Sequence, residues 1–169
     1  MPNANMVPTM LNCRTLFLSD VHLGCKDCQA DYLLAFLQRS QADTIYLLGD
    51  IVDLWAMRKQ VHWKAGQNNI VRCLLDKAEQ GTEIVYIPGN HDEALRLYAG
   101  KSFGNIRIAL RASHTTAQGK KLLLLHGDEF DKEVNFGRLH AWLGDNLYDL
   151  LLFLNRWYNR LRRLTGGNY

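Results

Sequence analysis

"DTIYLLGDIVD" (residues 43–53) is the stretch on which the fold turns. Its first half is an unbroken apolar run, Ile45 to Leu48, flanked by polar residues. A short run of β-branched, aromatic and aliphatic residues reads as a strand buried on both faces, as in a parallel sheet. The second half changes character at once, to Gly49-Asp50 and then Asp53. In an open parallel sheet, ligands gather at the C-terminal ends of the strands, so carboxylates directly after a buried strand are candidates for chemistry.

The same pattern recurs on both sides. "RTLFLSDVH" (14–22) is a strand ending in Asp20 and His22, and "TEIVYIPGNHD" (82–92) is one ending in Asn90, His91 and Asp92. "KKLLLLHGD" (120–128) ends in His126-Gly127-Asp128. Between them, "CQADYLLAFLQRS" (28–40) carries Tyr32, Leu33, Phe36 and Leu37 at helical spacing, and "NNIVRCLLDKAEQG" (68–81) is a helix stopped by Gly81. "DEALRLYAG" (92–100) predicts a short helix, and "NIRIALRASHTT" (105–116) a single strand, joined to residues 120–127 through the turn "AQGK". The order βαβαβαββ implies a layered α/β fold around a mostly parallel sheet. Residues 129–164 carry almost no β signal and no proline, and read as one or two helices.

Length and composition set the bounds. With 169 residues, 47% apolar and 22% charged, the chain suits one ordinary globular domain. The net charge of +3 gives no nucleic-acid footprint, and no nucleic-acid partner is expected. The N-terminus "MPNANMVPTM" lacks the basic start and apolar core of a signal peptide, and residues 1–13 read as a flexible lead-in. The expectation is a cytoplasmic protein with reduced thiols.

Four strand ends thus deliver Asp20, His22, Asp50, Asn90, His91 and His126 to one edge. Nitrogen and oxygen donors without thiolates suit manganese, iron or zinc, and a shared carboxylate such as Asp50 can bridge two ions. Two-metal sites of this kind split phosphate esters. Taken singly, Asp20 serves as a helix cap, Asp50 as a turn residue and Gly89-Asn90 as a turn dipeptide. Taken together, each after a strand, they favour a metal centre.

"SDVHLG" (19–24), "LLGDIVD" (47–53), "PGNHDE" (88–93) and "LLHGDEFD" (124–131) together resemble the calcineurin-like metallophosphoesterases, whose blocks are D-x-H, G-D-x-x-D, G-N-H-[D/E] and a histidine ahead of a final G-H-x-H. Within that superfamily, "SDVHLG", "HGDEFD" and the helical segment behind it are similar to the UDP-2,3-diacylglucosamine diphosphatase branch, which cleaves the pyrophosphate of a lipid-bearing sugar nucleotide in lipid A synthesis. The resemblance implies an α/β/β/α sandwich with its core at residues 14–131 and a helical lid at 132–169. It implies two divalent ions, manganese foremost. Asp20 and His22 would hold the first, Asp50 would bridge, and Asn90 and His126 would hold the second. Asn90 and His91 would contact the phosphate, His91 would act at the leaving oxygen, and Asp92 would orient His91. Asp53 and Asp128 would back the ligands from behind or fix loops.

This sequence departs from the branch in two places. The branch carries arginine where this chain has His91, which matches the broader superfamily. No Gly-His-x-His follows His126, so the resemblance implies the N-terminal portion of a longer protein.

The C-terminal stretch carries Arg156, Arg160 and Arg163 on one helical face, beside an apolar stripe of Phe153, Trp157, Leu161 and Leu164. A basic amphipathic helix of this kind suits an anionic membrane surface or packing on another part of the protein. The lid of the resembled enzymes makes Arg156 and Arg160 candidate substrate contacts. The protein would then work on a lipid-linked phosphorylated substrate, peripherally on the inner membrane. A phosphoesterase with a soluble substrate and an inactive membrane-binding module are the alternatives. Cys25 and Cys28 form a Cys-x-x-Cys at a helix start, where thiol pKa values fall, and a thiol redox protein is a third class. His62, His114 and His140 fall outside the blocks and read as surface or partner-satisfied histidines.

Overall fold

The computed structural model describes residues 10–131. The chain divides into two compact units, Met1–Asp128 and Glu129–Tyr169. The expected lid, His140, Arg156, Arg160 and the rest of the basic helix lie outside the described residues, as do residues 1–9.

The first unit is built on a five-stranded sheet of order β1-β2-β3-β5-β4. Strands β1 (Leu11–Leu18), β2 (Ser40–Leu48), β3 (Glu83–Ile87) and β5 (Ile106–Ile108) run parallel, and the short β4 (Ser102–Phe103) is antiparallel at the edge. Helices α1 (Ala30–Gln38) and α3 (Ala65–Glu79) connect the first three strands. A separate hairpin, β6 (Ala112–Thr115) with β7 (Lys121–Leu124), forms a second sheet.

Successive residues of a strand point to opposite faces. In β2, Ile45 and Leu47 join Leu37 of α1 and Ile70, Leu74 and Ala78 of α3 in one core. Tyr46 and Leu48 face the other way and pack with Val85, Ile87 and Leu124 of β7 in a second core. A continuous apolar run was the expected signature of a strand covered on both sides, and β2 is covered by helices on one face and by the hairpin on the other. The α/β layering therefore stands. The expected outer helical layer has no counterpart among the described residues.

Several local readings differ from expectation. The first strand starts at Leu11, inside the segment read as a flexible lead-in, because Leu11 already pairs with Ser40. That strand lies at the sheet edge and leaves Phe17 41% exposed, so it is not buried on both faces. Residues 105–116 do not form one strand; the chain leaves the main sheet after Ile108 and enters the hairpin at Ala112. The short helix near residue 93 is a 3-10 segment, Glu93–Tyr98. An extra helix, α2 (Leu54–Lys59), follows Asp53. A last turn, α4 (Asp128–Asp131), closes the described part. No described helix is long and apolar enough to cross a membrane.

Candidate metal centre

The loops after β1 and β2 run side by side beyond the ends of their strands. Asp20 N–H donates to the Gly49 carbonyl (3.2 Å), His22 N–H to that of Asp50 (2.9 Å), and Leu23 N–H to that of Ile51 (2.8 Å). Asp53 N–H donates back to the Leu23 carbonyl at 2.8 Å. This zipper brings residues from separate strands onto one rim. Within it Asp20, His22 and Asp50 hold φ values of 55°, 52° and 54°, and they are the only non-glycine residues with positive φ among those described. Asp and His tolerate this left-handed region better than most residues, and strain of this kind clusters at functional sites. Ligand atoms of Asp20, His22 and Asp50 lie within 4.8 Å of one another. The structure therefore brings together the three residues expected around the first ion.

The third and fourth strand ends close on the same carboxylate. Asp50, buried, accepts the His91 N–H on Oδ1 at 2.9 Å. Its other oxygen lies 3.4 Å from His126 Nε2. His126 Nδ1 sits 3.1 Å from the Leu48 carbonyl, which can only accept, so Nδ1 carries a proton and Nε2 is the nitrogen that faces Asp50. Nε2 and the carboxylate oxygen, both atom types that ligate divalent ions, face each other across that gap. Metal-binding histidines characteristically donate their second nitrogen to a backbone carbonyl in this way. Asn90 is half-buried on the loop between Gly89 and His91. Two glycines make this approach possible. A Cβ on Gly49 would run into the His126 ring, and one on Gly89 would collide with Asp50 Oδ1 and with His126. The donor set and its spacing fit divalent ions.

Asp53 sits at the centre of the rest. Its Oδ1 accepts from His91 Nδ1 at 2.9 Å and from Ala56 N–H at 2.8 Å, and its Oδ2 accepts from His22 Nδ1 at 3.1 Å. Burial by itself would raise its pKa, but the hydrogen bonds from His91 and Ala56 and the charges of the two rings outweigh burial and hold it below the ordinary carboxylate range. An ionised carboxylate can only accept, so both histidines present an Nδ1–H to it, and their Nε2 atoms point away from this carboxylate. His22, Asp53 and His91 also form a group of converging donor atoms, but here each imidazole is already hydrogen-bonded to the carboxylate.

Asp92 was expected to orient His91, and its carboxylate bonds elsewhere. It is wholly buried and accepts from Gly89 N–H (2.6 Å), Ile51 N–H (2.9 Å), Val52 N–H (3.3 Å) and the Tyr86 hydroxyl (2.5 Å). It ties the β2 loop to the β3 loop, while Asp53, expected to back the ligands or to fix a loop, holds the His91 ring. The available signal was the Asp50-x-x-Asp53 spacing, but spacing alone does not say which histidine each carboxylate meets. Asp128 pairs with Arg96 at 2.6 Å, consistent with a loop-fixing residue.

The remaining candidates lie apart. His114 stands edge-on to Phe17 and Tyr46, at 5.4 and 5.6 Å between ring centroids. His62 is half-buried, and its N–H bonds the Gly24 carbonyl at 3.1 Å. Cys25 and Cys28 are free thiols. Cys28 precedes the start of α1 at Ala30, and burial, with Cys25 beside it, pushes its pKa up to about 11, opposite to the lowering expected at a helix start. Sequence reading also passed over Trp55, whose ring lies 4.6 Å from that of His91.

The pattern that defines the calcineurin-like phosphoesterases matches residues 13–167. A UDP-2,3-diacylglucosamine hydrolase of Blochmanniella pennsylvanica is 31% identical over 116 residues, 67% of this chain and 46% of that protein. The protein of that name from Porphyromonas gingivalis is 32% identical over 121 residues, 67% and 45% of the two chains. That of Pseudomonas aeruginosa is 30% identical over 141 residues, 78% and 55%. The chain spans about half the length of the curated relatives it matches.

Proposed function

The chain belongs to the calcineurin-like phosphoesterase family, and from that premise we propose that it is a metal-dependent phosphohydrolase cleaving the pyrophosphate of a lipid-linked nucleotide sugar of the UDP-2,3-diacylglucosamine kind. The observation that carries the metal dependence is Asp50, with Asp20 and His22 converging on one side and His126 Nε2 facing it on the other. The substrate class is supported by the relatives, which are UDP-2,3-diacylglucosamine hydrolases by name.

In this reading Asp20 and His22 would hold one divalent ion, Asp50 would be shared, and Asn90 and His126 would hold the second. Manganese heads the candidates, with iron or zinc behind it, since every donor is oxygen or nitrogen. Such ions, when bound, supply Lewis acidity at the phosphoryl oxygens and water acidic enough to attack at neutral pH. The chain's own residues do the rest. Asn90 and His91 bind the phosphate. Asp53 keeps His91 Nδ1 protonated, so that Nε2, when it too carries a proton, can pass it to the leaving oxygen. Asp92 keeps the loop bearing Asn90 and His91 against the loop bearing Asp50. The resemblance makes Arg156 and Arg160 candidate substrate contacts, and the basic stretch that carries them a candidate for the inner membrane surface on the cytoplasmic side. His91, which fits the broader superfamily, favours as second reading a phosphodiesterase with a soluble substrate.

The test is a metal-loaded preparation assayed on UDP-2,3-diacylglucosamine, for release of UMP, and on bis(4-nitrophenyl) phosphate. A pair of manganese ions per chain and turnover of both substrates are expected, with Asp50→Ala reducing turnover by about 100-fold or more. Turnover of the small diester alone supports the soluble-substrate reading. A manganese-loaded chain that hydrolyses neither would overturn the assignment.

A further inference from the structure

His91 is held on three sides. Asp53 Oδ1 takes its Nδ1 at 2.9 Å. His22 meets it edge-on, with ring centroids 4.7 Å apart and planes at 88°. Trp55 lies over it at 4.6 Å, with planes only 33° apart. The hydrogen bond to Asp53 leaves the imidazole free to swing about the Nδ1···Oδ1 direction. An edge-on neighbour on one side and an overlapping indole on the other remove that freedom.

The same carboxylate also caps the helix that carries Trp55. Asp53 is the N-cap of α2, and the oxygen that accepts His91 Nδ1 also accepts Ala56 N–H at 2.8 Å. The cap thus fixes Trp55 and His91 relative to one another. Trp55 stays 39% exposed, so core packing does not account for an indole at this place.

We propose that Trp55 is a positioning residue for His91, its indole setting the plane of the imidazole so that Nε2 is presented in one orientation. The inference rests on the reading that His91 acts at the leaving oxygen. Proton delivery of that kind depends steeply on geometry, and a misplacement of about 1 Å can cost on the order of 100-fold in rate.

The test compares two diesters on the manganese-loaded full chain. Bis(4-nitrophenyl) phosphate releases a stable anion with little need of a proton, whereas diphenyl phosphate releases a more basic phenoxide. Trp55→Ala is expected to lower kcat on diphenyl phosphate by about 10- to 100-fold and on the nitrophenyl diester by less than about 3-fold, with KM nearly unchanged. Trp55→Phe, which keeps a ring face, should restore most of the loss. His91→Ala should show the same selectivity, more strongly. A selective loss in His91→Ala with an unselective loss, or none, in Trp55→Ala would overturn the positioning role alone. No selectivity in His91→Ala would overturn the reading of His91 and the inference with it. A readout independent of turnover is the imidazole proton NMR of the metal-free chain. One sharp set of His91 signals is expected in wild type and Trp55→Phe, shifted and broadened in Trp55→Ala, and unchanged signals in Trp55→Ala would also overturn the proposal.

Discussion

Asp53 and Asp92 differ little in type and burial, yet their surroundings give them opposite work. Asp53 faces two imidazoles and one amide; those donors keep the carboxylate ionised, and it in turn holds a proton on each Nδ1. Asp92 faces three amides and a phenol and serves the backbone. The Tyr86 pKa is raised by burial first and by the neighbouring Asp92 charge second, so the phenol stays a donor to that carboxylate. The cysteine pair shows the same dependence on surroundings. With its pKa moved from 9.0 up to about 11, Cys28 holds about 100-fold less thiolate at pH 8 than an ordinary thiol. Iodoacetamide should label it slowly at neutral pH, with the rate climbing about tenfold per pH unit toward pH 11. Fast labelling at pH 7, followed by mass spectrometry, would contradict the buried thiol and revive the redox reading.

At the scale of elements, the strands stop and the chemistry begins, because the β1 and β2 loops continue each other's backbone hydrogen bonding past Leu18 and Leu48. The β3 loop has no such zipper and is tied to the β2 loop by carboxylates, through several bonds to Asp92 and one from His91 N–H to Asp50. Asp92→Ala would leave the amides of Gly89, Ile51 and Val52 and the Tyr86 hydroxyl short of their acceptor, and should cost about 3 kcal/mol or more in urea unfolding. Asp92→Asn, which keeps one acceptor oxygen, should cost less. A loss under about 1 kcal/mol in the alanine variant would show that the loops hold together without this brace. Elements with long apolar runs or clear helical spacing were legible in the sequence, as β2, β3, α1 and α3 show. Helix α2 was not, because its six residues include no buried one and its start depends on the Asp53 cap. The break between β5 and β6 was hidden as well, since a strand that changes sheets keeps its local pattern throughout.

For the whole molecule, the candidate centre is a junction where four segments distant in sequence meet. A ligand that binds only the assembled junction stabilises the fold, by about 2.7 kcal/mol at 100 times its dissociation constant. Saturating manganese should therefore raise the melting temperature by roughly 5–10 °C for a chain of this size. Chelation with EDTA should reverse the shift, and Asp50→Asn should largely abolish it. A melting temperature indifferent to manganese in wild type would count against the metal centre as assembled from Asp20, His22, Asp50 and His126. The sequence by itself determined the α/β class, the strand ends that carry Asp20, His22, Asp50, Asn90, His91 and His126, and the donor chemistry they share. Those are properties of local period and polarity, which a linear chain displays. Only the tertiary structure decided that Asp53 rather than Asp92 holds His91, that Asp92 braces two loops, and that Trp55 lies over the imidazole. His22 meets Asp53 across 31 positions, and His91 meets it across 38. Contacts at such separations follow from the register of parallel strands and the zipper between their loops, which no local pattern encodes.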